Sequence, residues 1–129
     1  MAQTAEASGT HPRRAKLTFV RKVWGREVWL INTDKYCAKY LYLDSGYQSS
    51  LHRHLVKDET FMVLAGSCEL EIGTETRLLE PNDRAHIAPG IFHRFRNHGP
   101  MTCAILEVST HHDDADTERK EASRKIVEQ

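Results

Sequence analysis

The sequence predicts a single all-β domain built as a sandwich or barrel, and three observations lead there. A chain of 129 residues is long enough to bury one core and too short for a second. Short runs rich in Val, Ile, Leu, Tyr and Phe follow one another through the middle of the chain. Turn residues separate them: Gly46, Gly66, Gly73, Gly90 and the pair Gly99 and Pro100.

In chain order the runs are LTFV (17–20), REVWLI (26–31), YCAKYLYL (36–43), SSLHRH (49–54), ETFMVLA (59–65), SCELEI (67–72), TRLLE (76–80), RAHIA (84–88), FHRFRN (92–97) and MTCAILEVST (101–110). They place the barrel over residues 16–110. Residues 1–15 are small and polar and read as a flexible lead. Residues 111–129 are a charged tail, with a short helix expected somewhere in 116–128.

Composition narrows the function classes. Eighteen basic residues balance eighteen acidic ones, so no broad field draws in nucleic acid or an anionic membrane surface. Cys37, Cys68 and Cys103 are odd in number and widely spaced, which fits buried free thiols in a reducing compartment and neither a disulfide framework nor a thiolate zinc site. The amino terminus lacks the apolar stretch of a secretion signal, and no run of about 18 apolar residues follows. A soluble cytoplasmic protein is the expectation.

Every second residue of a strand faces the same way, so His52 and His54 share a face. From Gly46 the chain counts five residues to His52, one more to His54, four to Glu59 and six to Gly66. This spacing resembles the first signature motif of the cupin superfamily. Ala88, Pro89, Gly90, His93 and Asn97 stand in the frame of the second, with Ala88 where the family usually has proline and Asn82 where it often has glycine. The resemblance implies a double-stranded β-helix, or jelly-roll barrel, holding one divalent metal on His52, His54, Glu59 and His93. Three imidazoles and a carboxylate form a borderline-hard donor set suited to Mn, Fe, Zn, Co or Ni. Four protein ligands leave one or two coordination positions open for chemistry.

The flanks resemble a narrower group, the D-lyxose isomerases and the cupin domain of type II phosphomannose isomerases. KVWGREVWLIN (22–32), YCAKYLYLDSG (36–46) and LEVSTHHDDADTER (106–119) carry the likeness. It matches Tyr36, Cys37 and Lys39 to a run that precedes the metal histidines, and Lys57 to a lysine between the second histidine and the glutamate. It implies catalytic roles for Glu107 and Lys39. Lys57 either orients Glu59 or meets substrate at the mouth. Strand phase turns Cys37, Lys39, Leu41 and Leu43 inward together, and likewise Cys103, Ile105 and Glu107. An inward lysine or glutamate is costly unless paired or used, so the two are catalytic or a structural ion pair, or else the strand phase is shifted by one and both are solvated.

The function implied is aldose–ketose isomerisation of a sugar or sugar phosphate through an enediolate. A ferrous dioxygenase and a non-catalytic metal- or sugar-binding module remain as alternatives. His86, His98, His111 and His112 read as solvated or structural. Tyr40, Tyr42, Met62, Leu64, Leu106 and Val108 make the outward face apolar as well, which points to a homodimer unless the strands within 17–31 cover it.

Overall fold

A computed structural model describes residues 16–127, so the flexible lead expected over 1–15 lies outside the described residues. The strands are β1 (Thr18–Lys22), β2 (Gly25–Asn32), β3 (Cys37–Leu43), β4 (Tyr47–Gln48), β5 (Leu51–His54), β6 (Glu59–Ala65), β7 (Cys68–Ile72), β8 (Glu75–Leu79), β9 (Arg84–Ile87), β10 (His93–Arg96), β11 (Cys103–Ser109), β12 (Thr117–Glu121) and β13 (Arg124–Lys125). They form two antiparallel sheets, as expected of a jelly-roll barrel. One has the order β1-β2-β3-β11-β6-β9. In the other, β5 and β4 lie end to end along one side of β10, β7 and then β8 continue from its other side, and β12 and β13 flank β5 and β4.

Both sheets send every second side chain into the space between them. In β3 the buried residues are Cys37, Lys39, Leu41 and Leu43, and the half-buried ones are Ala38, Tyr40 and Tyr42. In β11 the buried set is Cys103, Ile105 and Glu107. Leu41, Leu43, Phe61, Val63, Leu70, Phe95 and Ile105 form the apolar filling. Burying side chains of this size contributes roughly 1.5–3 kcal/mol each, and that driving force fixes the strand phase. Once the phase is fixed, Lys39 and Glu107 are carried inside with their apolar neighbours. All three cysteines are buried and free.

The turns explain the departures from the motif frame. Asn82 takes a left-handed backbone, φ 77°, the conformation asparagine adopts most readily after glycine, so it serves where the family often has glycine. Gly66 is also left-handed, and a Cβ there would lie 2.8 Å from the Thr102 carbonyl oxygen. Asn97 closes the turn before β11: its amide donates to the carbonyls of Leu43 and Met101 and accepts from the Gly99 N–H.

The tail departs from expectation. In place of a short helix within 116–128, a 3-10 turn over Asp114–Asp116 leads into β12 and β13. The sheet therefore continues past residue 110. TERKE pairs with β5 as an edge strand whose side chains are mostly exposed, so it carries no apolar alternation to mark it as a strand.

The strands β1 and β2 extend the first sheet and do not cover its outer face. Cross-strand register aligns Phe19, Val28, Tyr40, Leu106 and Met62 in one apolar row on that face. Phe19 is 71% exposed. No helix among the described residues is long and apolar enough to cross a membrane.

Candidate metal and acid–base site

His52 and His54 project from one face of β5, and His93 stands opposite His52 in the register of β10. The His52 and His93 ring centroids are 4.5 Å apart, and one ligand nitrogen from each of the three histidines lies within 4.8 Å of the others. Glu59 enters from the first residue of β6, on the opposing sheet. Its Oε2 is 3.1 Å from His93 Nε2 and 3.5 Å from His54 Nε2. The four groups meet where the two sheets face each other.

Backbone carbonyls set the imidazole tautomers. His52 Nδ1 lies 2.9 Å from the Ser50 carbonyl, His54 Nδ1 3.1 Å from that of Asp116, and His93 Nδ1 2.9 Å from that of Ile91. A carbonyl only accepts, so each Nδ1 carries the hydrogen and each Nε2 presents a lone pair to the shared centre. His93 Nε2 is buried with no hydrogen-bond partner. An orphaned lone pair facing two more imidazoles and a carboxylate is the donor set of a divalent ion, with the outward nitrogens already held as such ligands require. The residues present fit Mn, Fe, Zn, Co or Ni.

The electrostatics agree. Burial and the neighbouring His93 hold His52 down to about 3, and burial lowers His54 to about 4. Both rings stay neutral and ligand-competent well into mild acid. Burial alone would raise the Glu59 carboxyl, but His93 and the Lys57 ammonium outweigh it and bring it to about 2.

Behind the histidines lies a buried charged group. Lys57 Nζ is 2.7 Å from Glu107 Oε2, 3.5 Å from Glu59 Oε1 and 2.9 Å from His112 Nδ1. Burial disfavours its charge, yet Glu107 and Glu59 together hold its pKa above the ordinary lysine value. At that distance the ammonium donates to the Glu107 carboxylate. Lys39 sits opposite Glu107 in register but turns to Glu27 Oε1 at 3.6 Å, with its ammonium 4.1 Å from the centre of the Trp29 ring. The Trp29 indole N–H donates to the same Glu27 oxygen at 2.8 Å. A cavity of about 320 Å³ opens onto all of these groups, with Phe61, Phe95 and Arg119 among its lining residues. That size suits a small molecule.

A family model described as "Cupin domain" matches residues 40–109, more than half of the chain. The chain belongs to the cupin family. Among curated proteins this cupin is 28% identical over 107 residues to the mannose-1-phosphate guanylyltransferase of Sinorhizobium fredii, covering 83% of this chain and 20% of that protein. It is 29% identical over 100 residues to the xanthan biosynthesis protein XanB of Xanthomonas campestris, covering 75% and 21%. The chain thus spans about a fifth of the length of the curated relatives it matches. Among solved structures, KdgF from Halomonas superposes with a TM-score of 0.63 at 24% identity over 70% of this chain and 82% of that one.

The cupin barrel brings together all seven side chains singled out in the sequence: His52, His54, Glu59, His93, Glu107, Lys39 and Lys57. Lys39 and Glu107 do not pair with each other, because Glu27 and Lys57 claim them separately. Lys57 is 3% exposed and faces acidic partners, not solvent at the mouth. His86 reaches Asp58, His98 reaches Glu69, and the His111 ring donates to the Thr33 carbonyl, as structural or solvated histidines would. His112 is different: it is buried, lines the cavity and contacts Lys57. Glu27 was equally hidden, since only the β2–β3 register brings it beside Leu41 and Lys39.

Proposed function

We propose that this cupin is a metal-dependent sugar isomerase-type enzyme that moves a proton between adjacent carbons of an open-chain aldose or ketose. One observation carries the reading. Glu107 presents a buried carboxylate, held by the Lys57 ammonium at 2.7 Å, to the same cavity that holds the histidine cluster. A fixed, buried carboxylate beside such a donor cluster is suited to taking a proton.

His52, His54, His93 and Glu59 would hold a divalent ion, which would supply the Lewis acidity that acidifies the proton beside the sugar carbonyl. Glu107 takes that proton from one carbon and returns it to the next, while the hydroxyl proton passes from one sugar oxygen to the other with Lys39 as the group that shuttles it. Lys57 keeps Glu107 in place, and its fixed positive charge favours the carboxylate before transfer. Lys39, anchored by Glu27 and Trp29, offers a cation toward the developing enediolate oxygen. Curated relatives named for mannose-1-phosphate guanylyl transfer and xanthan biosynthesis support a sugar ligand. The apolar row on the outer sheet supports a homodimer.

The test is a screen of aldoses and ketoses with the metal-loaded protein in deuterated water under anaerobic conditions. Deuterium is expected at the carbon beside the carbonyl, and Glu107→Gln is expected to abolish its appearance while metal content is unchanged. Full exchange by Glu107→Gln removes Glu107 as the base. Turnover that requires oxygen and ferrous iron replaces the isomerase reading with a dioxygenase.

A further inference from the structure

We propose that His112 is a positioning residue of this site, presenting Nδ1 as an acceptor that holds the Lys57 ammonium against Glu107. The direction of each hydrogen bond follows from chemistry. An ammonium only donates, so His112 Nδ1, 2.9 Å from Lys57 Nζ, must accept. The ring hydrogen then sits on Nε2, which donates to Asp114 Oδ1 at 2.7 Å. This tautomer is opposite to that of His52, His54 and His93, whose Nδ1 atoms donate to carbonyls.

The residue is fixed from every side. The Asn32 side chain pairs with the His112 backbone in both directions, its amide donating to the His112 carbonyl and its oxygen accepting from the His112 N–H, each at 3.0 Å. The Trp29 ring meets the imidazole edge-on at 5.0 Å between centroids. Asn32 ends β2, Lys57 precedes β6, Glu107 lies in β11, and His112 and Asp114 follow it, so separate parts of the chain converge on one ammonium. Lys57 has three N–H groups and three neighbours: Glu107, His112 and Glu59. Without the imidazole one of the three N–H groups has no acceptor, and the ammonium is held by the two carboxylates alone.

The kinetic consequence rests on the proposed isomerase reading, whereas the geometry can be tested alone. Nitrogen-15 spectra of the imidazoles at neutral pH are expected to show His112 as the neutral Nε2–H tautomer. The Lys57 ammonium is expected to be protected from solvent exchange in the wild type and in His112→Asn, whose Oδ1 replaces Nδ1 as acceptor, and to lose protection in His112→Ala. In the exchange assay His112→Ala is expected to lower kcat about tenfold or more, a loss typical of an outer-shell partner, with KM within about twofold. His112→Asn is expected to recover most of that loss.

A His112 ring protonated on Nδ1, or a Lys57 ammonium equally protected in His112→Ala, overturns the proposal whatever the kinetics. Equal loss of kcat in His112→Asn and His112→Ala, with equal loss of thermal stability, also overturns it, because that pattern marks a packing role. If the wild type exchanges no sugar proton, the isomerase reading fails and the spectra alone decide His112.

Discussion

Replacing Lys57 by methionine keeps an unbranched side chain one atom shorter and removes its charge, leaving Glu59 and Glu107 buried without their shared cation. With an effective dielectric of about 20, Lys57 gains roughly 6 kcal/mol from Glu107 at 2.7 Å and roughly 5 kcal/mol from Glu59 at 3.5 Å. Desolvating three ions cancels much of this, at several kcal/mol for each. The two sides of the ledger do not separate the native trio from an apolar replacement of all three. They do separate it from a trio that has lost one member, because a buried carboxylate without its cation costs about 3–5 kcal/mol. Urea unfolding of the metal-free protein at pH 7 is therefore expected to show Lys57→Met destabilised by about 3–5 kcal/mol with its slope unchanged. Adding Glu107→Gln to Lys57→Met is expected to restore about 1–2 kcal/mol, since one uncompensated charge has gone. A loss below about 1 kcal/mol, or a double variant no more stable than the single one, would refute the claim that Lys57 neutralises this pair.

Other expectations follow from the same geometry. His52 and His54 stay neutral in the metal-free fold down to about 3 and about 4, whereas the unfolded chain protonates both below about 6.5. Metal-free stability should therefore fall as pH drops below about 6.5, by about 2–3 kcal/mol for each ring at pH 4.5, with Glu59, held at about 2, adding only about 0.4 kcal/mol of loss by that pH and more below it; equilibrium unfolding at stepped pH checks it, and a flat profile contradicts it. Asp116 accepts the backbone N–H groups of Leu55, Val56 and Lys57, and its carbonyl holds His54 Nδ1. Asp116→Ala should cost about 2–3 kcal/mol in unfolding and weaken metal affinity about tenfold in a chelator competition. Sedimentation equilibrium should give twice the 14.8 kDa chain mass, and Leu106→Glu, in the outer apolar row, should return the single-chain value.

Local pattern made the ligand-bearing strands readable in advance. The His-x-His pair needs only strand alternation to put both rings on one side. Glu59 and His93 need the motif frame, because nothing local ties β6 and β10 to β5. Lys39 and Glu107 are readable as inward only if the strands keep the phase of Cys37, Leu41 and Leu43, a phase that the buried apolar neighbours fix in the fold. Their partners were not readable. Glu27 reaches Lys39 only across the β2–β3 register, and Lys57 reaches Glu107 from the loop just before β6. The charged TERKE segment carries no apolar alternation, so β12 is visible only through its pairing with β5. His112 reads from sequence as no more than solvated or structural for the same reason: the buried environment that distinguishes it is supplied by Asn32, Trp29 and Lys57, all distant in sequence.

Cobalt titration of the metal-free chain reads the donor set directly, since ion–ligand absorption appears only when imidazoles and a carboxylate converge. One equivalent is expected to saturate the visible bands, with His93→Ala weakening binding more than about 100-fold while the strand content by circular dichroism is unchanged. A folded wild type that takes up no cobalt, or a His93→Ala protein that binds it as tightly, would contradict the existence of a shared metal centre.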